Sequence, residues 1–199
     1  GELVAVLPIA LIAAIAHGRP ILVRNAGSQS SELRRDTLGD SGGSDLLLLM
    51  RSWNYARQHR FDLDRCRRLG IHAAAARQVG PLWDHFLRIA ESQQLPIESA
   101  PPEDDQIAKC VLAGFSDQVA HRLDRGTLRC DLVHKRRGEL ARESVADEAD
   151  LLVANEINEI GRGDGEVNVL LTQATAIRAD WLRELFPDDF AERIAVGWD

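Results

Sequence analysis

Cysteine is scarce in this chain, and no apolar run is long enough to cross a membrane. The 199 residues include three cysteines, Cys66, Cys110 and Cys130, which are odd in number and widely spaced. This usage argues against a disulfide framework and favours a reducing compartment, so we predict a cytoplasmic protein. The apolar opening GELVAVLPIALIAAIAHG contains Glu2 and Pro8 and is shorter than the roughly 20 residues that span a bilayer, so we expect no membrane partner.

The opening segment also lacks a basic stretch before its apolar residues, which argues against a secretory signal peptide. The chain has no initiator methionine. We therefore expect it to be a piece of a longer protein that begins at a buried helix.

Motifs for nucleotide hydrolysis are missing as well. The chain contains neither a G-x-x-x-x-G-K-[ST] loop nor a G-x-G-x-x-G turn after a strand. Cys130 and His134 form only a lone pair of ligand types, whereas a structural zinc ion needs four ligands. We therefore predict no catalytic residue, no cofactor and no metal site in this chain, which by itself should not hydrolyse ATP.

The pentapeptide GDSGG, residues 39–43, is similar to the nucleophile loop of trypsin-like serine proteases. In those enzymes a histidine and an aspartate precede the serine along the chain, on a double β-barrel. Only His17 precedes Ser41 here, and 40 residues cannot form such barrels. We interpret the pentapeptide as a flexible connector and predict that Ser41 is exposed, mobile and chemically idle.

Positive charge is concentrated in one segment of an otherwise acidic chain. The net charge is −7, so a nucleic-acid interface would have to be local. Residues 121–142 carry a charge of +4, from three acids and seven basic residues: Arg122, Arg125, Arg129, Lys135, Arg136, Arg137 and Arg142. The run Lys135-Arg136-Arg137-Gly138 lies between two strand-like runs, where a loop would present cations to phosphates. The other interpretation is a solvated charged loop without a ligand.

Apolar periodicity predicts a helical first part. We expect helices over residues 3–16, 44–57, 63–69, 71–94 and 104–123, with a break or kink at Gly80-Pro81. Residues 18–43 have no sustained period and are predicted to be irregular. Ser44 is the predicted N-cap of the second helix, and Trp53 is a predicted core residue.

The pattern changes to strands after Gly126. The runs TLRCDLVH, residues 151–156 and EVNVLLTQATAI are strand-like, and GRGDGE (161–166) has the composition of a hairpin turn. A helix that stops at Pro187 and a further short helix follow. We therefore predict an α+β fold with two domains: an N-terminal helical bundle over 1–124, and a small OB-like β-barrel with a C-terminal helix over 125–199.

Four segments, taken in order, resemble the C-terminal accessory region of DEAH/DExH-box helicases, especially the HrpB-like bacterial branch. GELVAVLPIALIAAI is similar to the family's helix after the winged-helix element, and SDLLLLMRSWNYARQ to its Ser-Asp-His-Leu helix. IAKCVLAGFSDQVAHR is similar to its Gly-Phe-x-Asp-x-Val-Ala stretch, and LVHKRRGELARES with DLLVANEI to its OB-fold. Two positions depart from the pattern, since Leu46 stands at the usual histidine and Lys135-Arg136-Arg137-Gly138 replaces His-Pro-Ser-Ser.

The resemblance implies a ratchet-like helical domain and an OB-fold that closes over a single strand of nucleic acid, with RNA favoured. RecA-like motor domains of the same chain would lie upstream and bind ATP and magnesium. The present region would grip the strand without performing chemistry. The candidate nucleic-acid-binding residues are Arg129, His134, Lys135, Arg136, Arg137 and Arg142.

The sequence also allows a second interpretation. The chain would then be a protein-interaction module whose OB-like barrel docks a helicase activator or a neighbouring domain. The two interpretations differ in salt dependence, because phosphate contacts release counterions and weaken steeply as salt rises.

Overall fold

The computed structural model describes residues 5–23, 27–97, 100–161 and 167–189, and it shows an α+β chain. Six of the α-helices in these ranges precede the strands, and a seventh follows them. The helices are α1 (Val6–His17), α2 (Ser28–Leu38), α3 (Asp45–Gln58), α4 (Leu63–Arg68), α5 (Ala73–Ser92), α6 (Asp104–Gly114) and α7 (Ala179–Leu185).

Helix α1 is apolar on nearly all sides because other helices surround it. Its residues Leu11, Ala14 and Ile15 are buried in a core shared with α3 and α5. Ile12, on another side of the helix, is buried against α6 and α7 residues such as Leu112 and Trp181. The prediction of a buried first helix is therefore confirmed.

Helix α3 begins at the predicted N-cap and carries the largest core side chain. Ser44 Oγ accepts a hydrogen bond from the backbone N–H of Leu47 at 3.2 Å, which satisfies one of the helix's otherwise unpaired donors. Trp53 is buried, and its Nε1 donates to the carbonyl of Ala76 on α5 at 2.8 Å. Trp53 is thus the core residue that its apolar stripe predicted.

Two predictions in the helical part differ from the structure: the irregular segment 18–43 contains a helix, and the break at Gly80-Pro81 is wrong, while the alternative of a kink there stays a prediction. Helix α2 lies in the segment predicted to be irregular, and none of its residues is buried, so it has no apolar face that periodicity could reveal. Helix α5 passes through Pro81 as one helix rather than breaking there. Proline removes one backbone hydrogen bond, but buried residues on both sides of it, Val79 and Ala90, keep the helix packed against its neighbours.

The helix predicted over 104–123 ends early. A capping box of Glu103 and Gln106 starts α6, as the acidic start of the segment suggests, but the helix stops at Gly114. Residues 116–118 form a 3₁₀ turn, and Val119–Arg122 is already a strand, because its backbone pairs with two barrel strands. The barrel therefore begins before residue 125, and the division into domains at residue 124 stays a prediction.

Five strands form a closed barrel. They are β1 (Val119–Arg122), β2 (Arg129–Leu132), β3 (Arg136–Leu140), β4 (Leu151–Gly161) and β5 (Val167–Ala176). Their order around the barrel is β1-β2-β3-β5-β4, and β3 and β5 are parallel while the other neighbours are antiparallel. This arrangement is consistent with a small OB-like barrel. The strands predicted after Gly126 are confirmed.

The inside of the barrel is packed by small and branched residues. Its buried members include Ala120, Cys130, Leu132, Leu140, Leu152, Leu171 and Ala174. Gly138 on β3 also points inward, where an added Cβ would lie 3.2 Å from Leu132 Cδ1 and 3.2 Å from the Val169 carbonyl oxygen. A larger residue at this position would require its neighbours to move by a few tenths of an ångström.

Two predictions concern the end of the barrel and the tail. β4 and β5 pair antiparallel as far as Gly161 and Val167, as expected for a hairpin, while the predicted turn residues 162–166 lie outside the described residues. Helix α7 ends at Leu185, before Pro187, as predicted. The further short helix falls on residues from 190 onward, which the structure does not describe.

None of the described helices combines the length and apolarity needed to cross a bilayer.

Candidate nucleic-acid interface

The predicted basic loop is mostly a strand. Val133–Lys135 is a single 3₁₀ turn, and Arg136–Leu140 is β3, so Arg136 and Arg137 are held in the barrel wall. The loop prediction is therefore wrong. Basic side chains discourage a strand prediction, but here both arginines have acidic partners, and Arg137 lies directly opposite Asp131 of β2. Opposite charges across two strands stabilise the pairing.

The outer face of β2 and β3 carries balanced charge. Arg137 Nε donates to Asp131 Oδ1 at 3.1 Å, and Arg129 lies opposite Glu139 in the same strand pair. Inward positions alternate with these four, since Cys130 is buried. The face thus presents two cations and two anions, rather than the net positive charge that the linear sequence suggests.

Arg136 has an acidic partner as well. Its Nη2 donates to Glu159 Oε1 on β4 at 2.7 Å. Both side chains remain about half exposed, at 46% and 61%. Exposed ion pairs of this kind contribute only about 0–1 kcal/mol to stability, so a phosphate group can compete for Arg136 and Arg137 at little cost.

The structure places the other candidates at two ends of the β2–β3 pair. Lys135 lies just before β3 with a positive φ of 59°, an uncommon conformation for lysine, and is exposed. Arg129 lies opposite Glu139, four residues along β3 from Lys135, or about 13 Å. Arg142 follows β3 beyond that end and is exposed. Among the described residues, these three cations form no ion pair.

The sixth candidate, His134, lies on the 3₁₀ turn, and its side chain is not described. The remaining basic residues of the segment have other roles. Arg122 is buried, and its Nε donates to the Thr127 carbonyl at 2.8 Å, so it closes the loop between β1 and β2. Arg125 Nη2 lies 3.8 Å from Asp150 Oδ2 in an exposed ion pair. Lys135, Arg136 and Arg137 therefore lie at one end of the β2–β3 pair, where Arg136 and Arg137 project to opposite sides of β3, and Arg129 and Arg142 lie at the other end.

Sequence reasoning missed the site that joins the helices to the barrel. Asp45, the first residue of α3, is largely buried and accepts three hydrogen bonds, each of 2.8 Å. The donors are the hydroxyl of Ser144 and the backbone N–H groups of Val145 and Ala174. We call this contact, together with Ser44 and Thr175, the helix–barrel junction.

A second pair of side chains completes the helix–barrel junction. Ser44 Oγ and Thr175 Oγ1 lie 2.9 Å apart, and both residues are buried. Ala176 N donates to the Gly43 carbonyl at 2.9 Å. The segment before α3 therefore docks on β5 through backbone and side-chain bonds at once. Ser44 and Asp45 could be found in the sequence as a cap and a first-turn acid, but not as partners of β5.

Burial raises the pKa of the Asp45 carboxyl above its usual range. The three hydrogen bonds favour the charged carboxylate and oppose this shift, but the loss of solvent outweighs them. Asp45 is therefore a group whose ionisation is costly in the folded chain, and within the described residues three hydrogen-bond donors, and no cation, satisfy its charge.

Ser41 is not exposed, contrary to the prediction. Its side chain is only 5% accessible, and its carbonyl accepts from the backbone N–H of Ser44 at 3.1 Å. Its neighbours Gly39, Asp40 and Gly42 are exposed, and the segment meets β5 through the Gly43 carbonyl. The flexible connector over residues 39–43 stays a prediction.

Two cysteine thiols are enclosed by different cores. Cys66 is buried among the helices and Cys130 inside the barrel. Burial raises the pKa of both thiols, which keeps them protonated and unreactive at neutral pH. Across the described ranges, no three His, Cys, Asp or Glu side chains are grouped in a way that could hold a metal ion.

No protein-family model matches the chain, and no curated protein is significantly similar to it.

Proposed function

We propose that this chain is the non-catalytic, nucleic-acid-gripping accessory region of an ATP-dependent, HrpB-like DEAH/DExH-box helicase. The helices would form a ratchet-like bundle, and the barrel would be an OB-fold that closes over single-stranded RNA. The RecA-like motor domains of the parent protein would supply ATP hydrolysis with magnesium. The proposal extends the sequence resemblance described above.

One observation carries the proposal. Lys135 ends the turn before β3, and Arg136 and Arg137 begin β3 of a five-stranded barrel; OB-folds commonly bind oligonucleotides at strands 2 and 3. The ion pairs of Arg136 and Arg137 are exposed and weak. These arginines can therefore turn to phosphates without a large loss of stability.

The helix–barrel junction supports a role in gripping a strand. The four hydrogen bonds of Asp45 and Ser44 to β5 and to the segment before β4 fix the barrel on the helices. A rigid connection is what a grip requires, because force from a motor passes through it to the strand.

The test is binding of a fluorescent single-stranded RNA, followed by anisotropy at two salt concentrations. We expect weak binding that falls steeply with salt, and a marked loss of binding in the triple variant Lys135→Ala/Arg136→Ala/Arg137→Ala. A triple variant that binds as well as the parent chain would contradict the assignment of this face.

A second candidate function is a protein-interaction module, in which the barrel docks an activator or a neighbouring domain. The balanced charge of the β2–β3 face favours it, since two cations and two anions suit a mixed protein surface as well as a phosphate backbone. RNA binding that is absent at low salt, in the parent and the triple variant alike, would favour this function over the first.

A further inference from the structure

A second basic stretch lies in the helical part, far along the chain from the basic segment of the barrel. Six arginines occur between residues 57 and 77, and the only acids among them are Asp62 and Asp64. All six are exposed. We call them the arginine cluster: Arg57, Arg60, Arg65, Arg67, Arg68 and Arg77. This stretch has a net charge of +4, equal to that of the barrel segment.

The two basic stretches differ in how their charges are paired. Within the described part of the chain, no member of the arginine cluster forms an ion pair. In the barrel, Arg136 and Arg137 both do. An anion that approaches the helices therefore meets guanidinium groups without displacing a carboxylate.

Aromatic rings hold two members of the arginine cluster. The guanidinium carbon of Arg57 lies 5.4 Å from the ring centre of Trp53 and 5.1 Å from that of Trp83. The guanidinium of Arg77 lies 5.7 Å from the ring centre of Phe61. An aromatic face orients a guanidinium but leaves its N–H donors available, and their planar fork suits phosphate oxygens.

The backbone between α3 and α4 is strained in a way that supports this arrangement. Arg60 and Phe61 both have positive φ angles, 54° and 57°, which cost energy for residues other than glycine. Phe61 N donates to the Ala56 carbonyl at 2.7 Å and closes the turn. The turn brings the ring of Phe61 to Arg77 and leaves Arg60 exposed.

Helix α4 presents three more arginines to solvent. Cys66 is fully buried and marks the inward side of the helix. At 100° per residue, Arg65 and Arg67 flank that side, and Arg68 lies nearly opposite it. The carboxylate of Asp62 caps the same helix, where its Oδ1 accepts from Arg65 N at 2.9 Å.

We propose that the arginine cluster binds the phosphodiester backbone of single-stranded nucleic acid, as a second contact besides the barrel. The inference deepens the proposed function and rests on it. RNA and DNA share this backbone, so the contact by itself does not select between them. It adds to the length of strand held by the chain and makes the salt dependence steeper.

The test compares two double variants in the whole chain. Arg67→Ala/Arg68→Ala removes two members of the arginine cluster, and Arg35→Ala/Arg88→Ala removes the same charge from exposed positions outside it. Binding of oligo-U RNA and oligo-dT DNA is followed by anisotropy over a range of salt concentrations. Circular dichroism melting verifies that both variants fold.

We expect Arg67→Ala/Arg68→Ala to bind both oligonucleotides about tenfold more weakly, with a salt slope shallower by about 1.4, since two phosphate contacts are lost. The control variant should retain more of the affinity and the parent's slope. Equal affinity and slope in the two double variants would overturn the inference, and so would a parent chain that binds neither oligonucleotide.

Two further arms separate this inference from the proposed function. If the barrel triple variant binds like the parent while Arg67→Ala/Arg68→Ala is weakened, the arginine cluster stands and the barrel assignment fails. If only the triple variant is weakened, the barrel assignment stands and the inference about the arginine cluster fails. Polyglutamate and vesicles of phosphatidylserine with phosphatidylcholine serve as competitors, and binding to either of them in place of the oligonucleotides would overturn the inference.

Discussion

Asp45 and Asp131 show two uses of the same side chain in one molecule. Asp45 is largely buried, accepts three hydrogen bonds and pairs with no cation in the part of the chain that the structure describes. Asp131 is 45% exposed and pairs with Arg137 across two strands. The buried carboxylate joins two parts of the chain. The exposed one pairs with a cation that solvent and other anions can reach, so burial separates a fixed contact from an exchangeable one.

The largest effect is expected at the buried carboxylate. Asp45→Ala leaves the N–H groups of Val145 and Ala174 without their acceptor, together with the Ser144 hydroxyl. We expect the free energy of unfolding to fall by about 3 kcal/mol, as measured by urea denaturation. Asp36→Ala, at an exposed position of α2, is the matched control and should change stability little. Similar values for the two variants would mean that the helix–barrel junction contributes nothing to stability.

The second largest effect is expected in how the free energy of unfolding depends on pH. Because burial raises the pKa of Asp45 in the folded chain, the stability linked to this group is fully present below its unfolded pKa of about 3.9 and is lost as pH rises through the folded value. The unfolding free energy of the parent chain, minus that of Asp45→Asn, should therefore decrease as pH rises from about 4. Urea denaturation at several pH values measures this difference. A difference that stays constant or increases would show that hydrogen bonding outweighs burial.

The smallest effect on stability is expected at the exposed pair. Asp131→Asn removes the charge beside Arg137 and should change the free energy of unfolding by less than about 1 kcal/mol. The same change should strengthen RNA binding about two- to threefold, because Arg137 is then released for phosphates. Anisotropy with the RNA used above measures it, and Glu139→Gln, on the same face, is a useful second variant. Weaker binding by Asp131→Asn would contradict the role of Arg137 in phosphate contact.

The sequence predicted those elements whose apolar pattern is strong. Helices α1 and α3, the cap at Ser44 and the strands after Gly126 followed from periodicity and turn composition. Helix α2 was missed because it buries nothing, and the end of α6 was misplaced because residues 115–123 keep a helical spacing while their backbone pairs with the barrel. Local pattern does not report pairing with distant strands.

The candidate site was predicted in composition but not in geometry. Charge counting found Lys135, Arg136 and Arg137, but it placed them in a loop and took their charge as net positive. The partner Glu159 is 23 residues from Arg136 along the chain and lies next to it only in the barrel. Charge counting also missed the arginine cluster, because its residues lay within predicted helices. The spacing of residues along the chain does not show whether an arginine has an acidic partner.

By itself, the sequence determined the class of the chain: helices first, strands after them, a buried tryptophan in α3 and a concentration of cations in residues 121–142. These properties follow from local periodicity and composition. Only the tertiary structure decided which charges are paired, that Ser41 is covered and that Asp45 holds the barrel. Each of these depends on groups brought together across about 100 residues or more of chain, or across strands, where burial and neighbouring donors set the energy of a side chain.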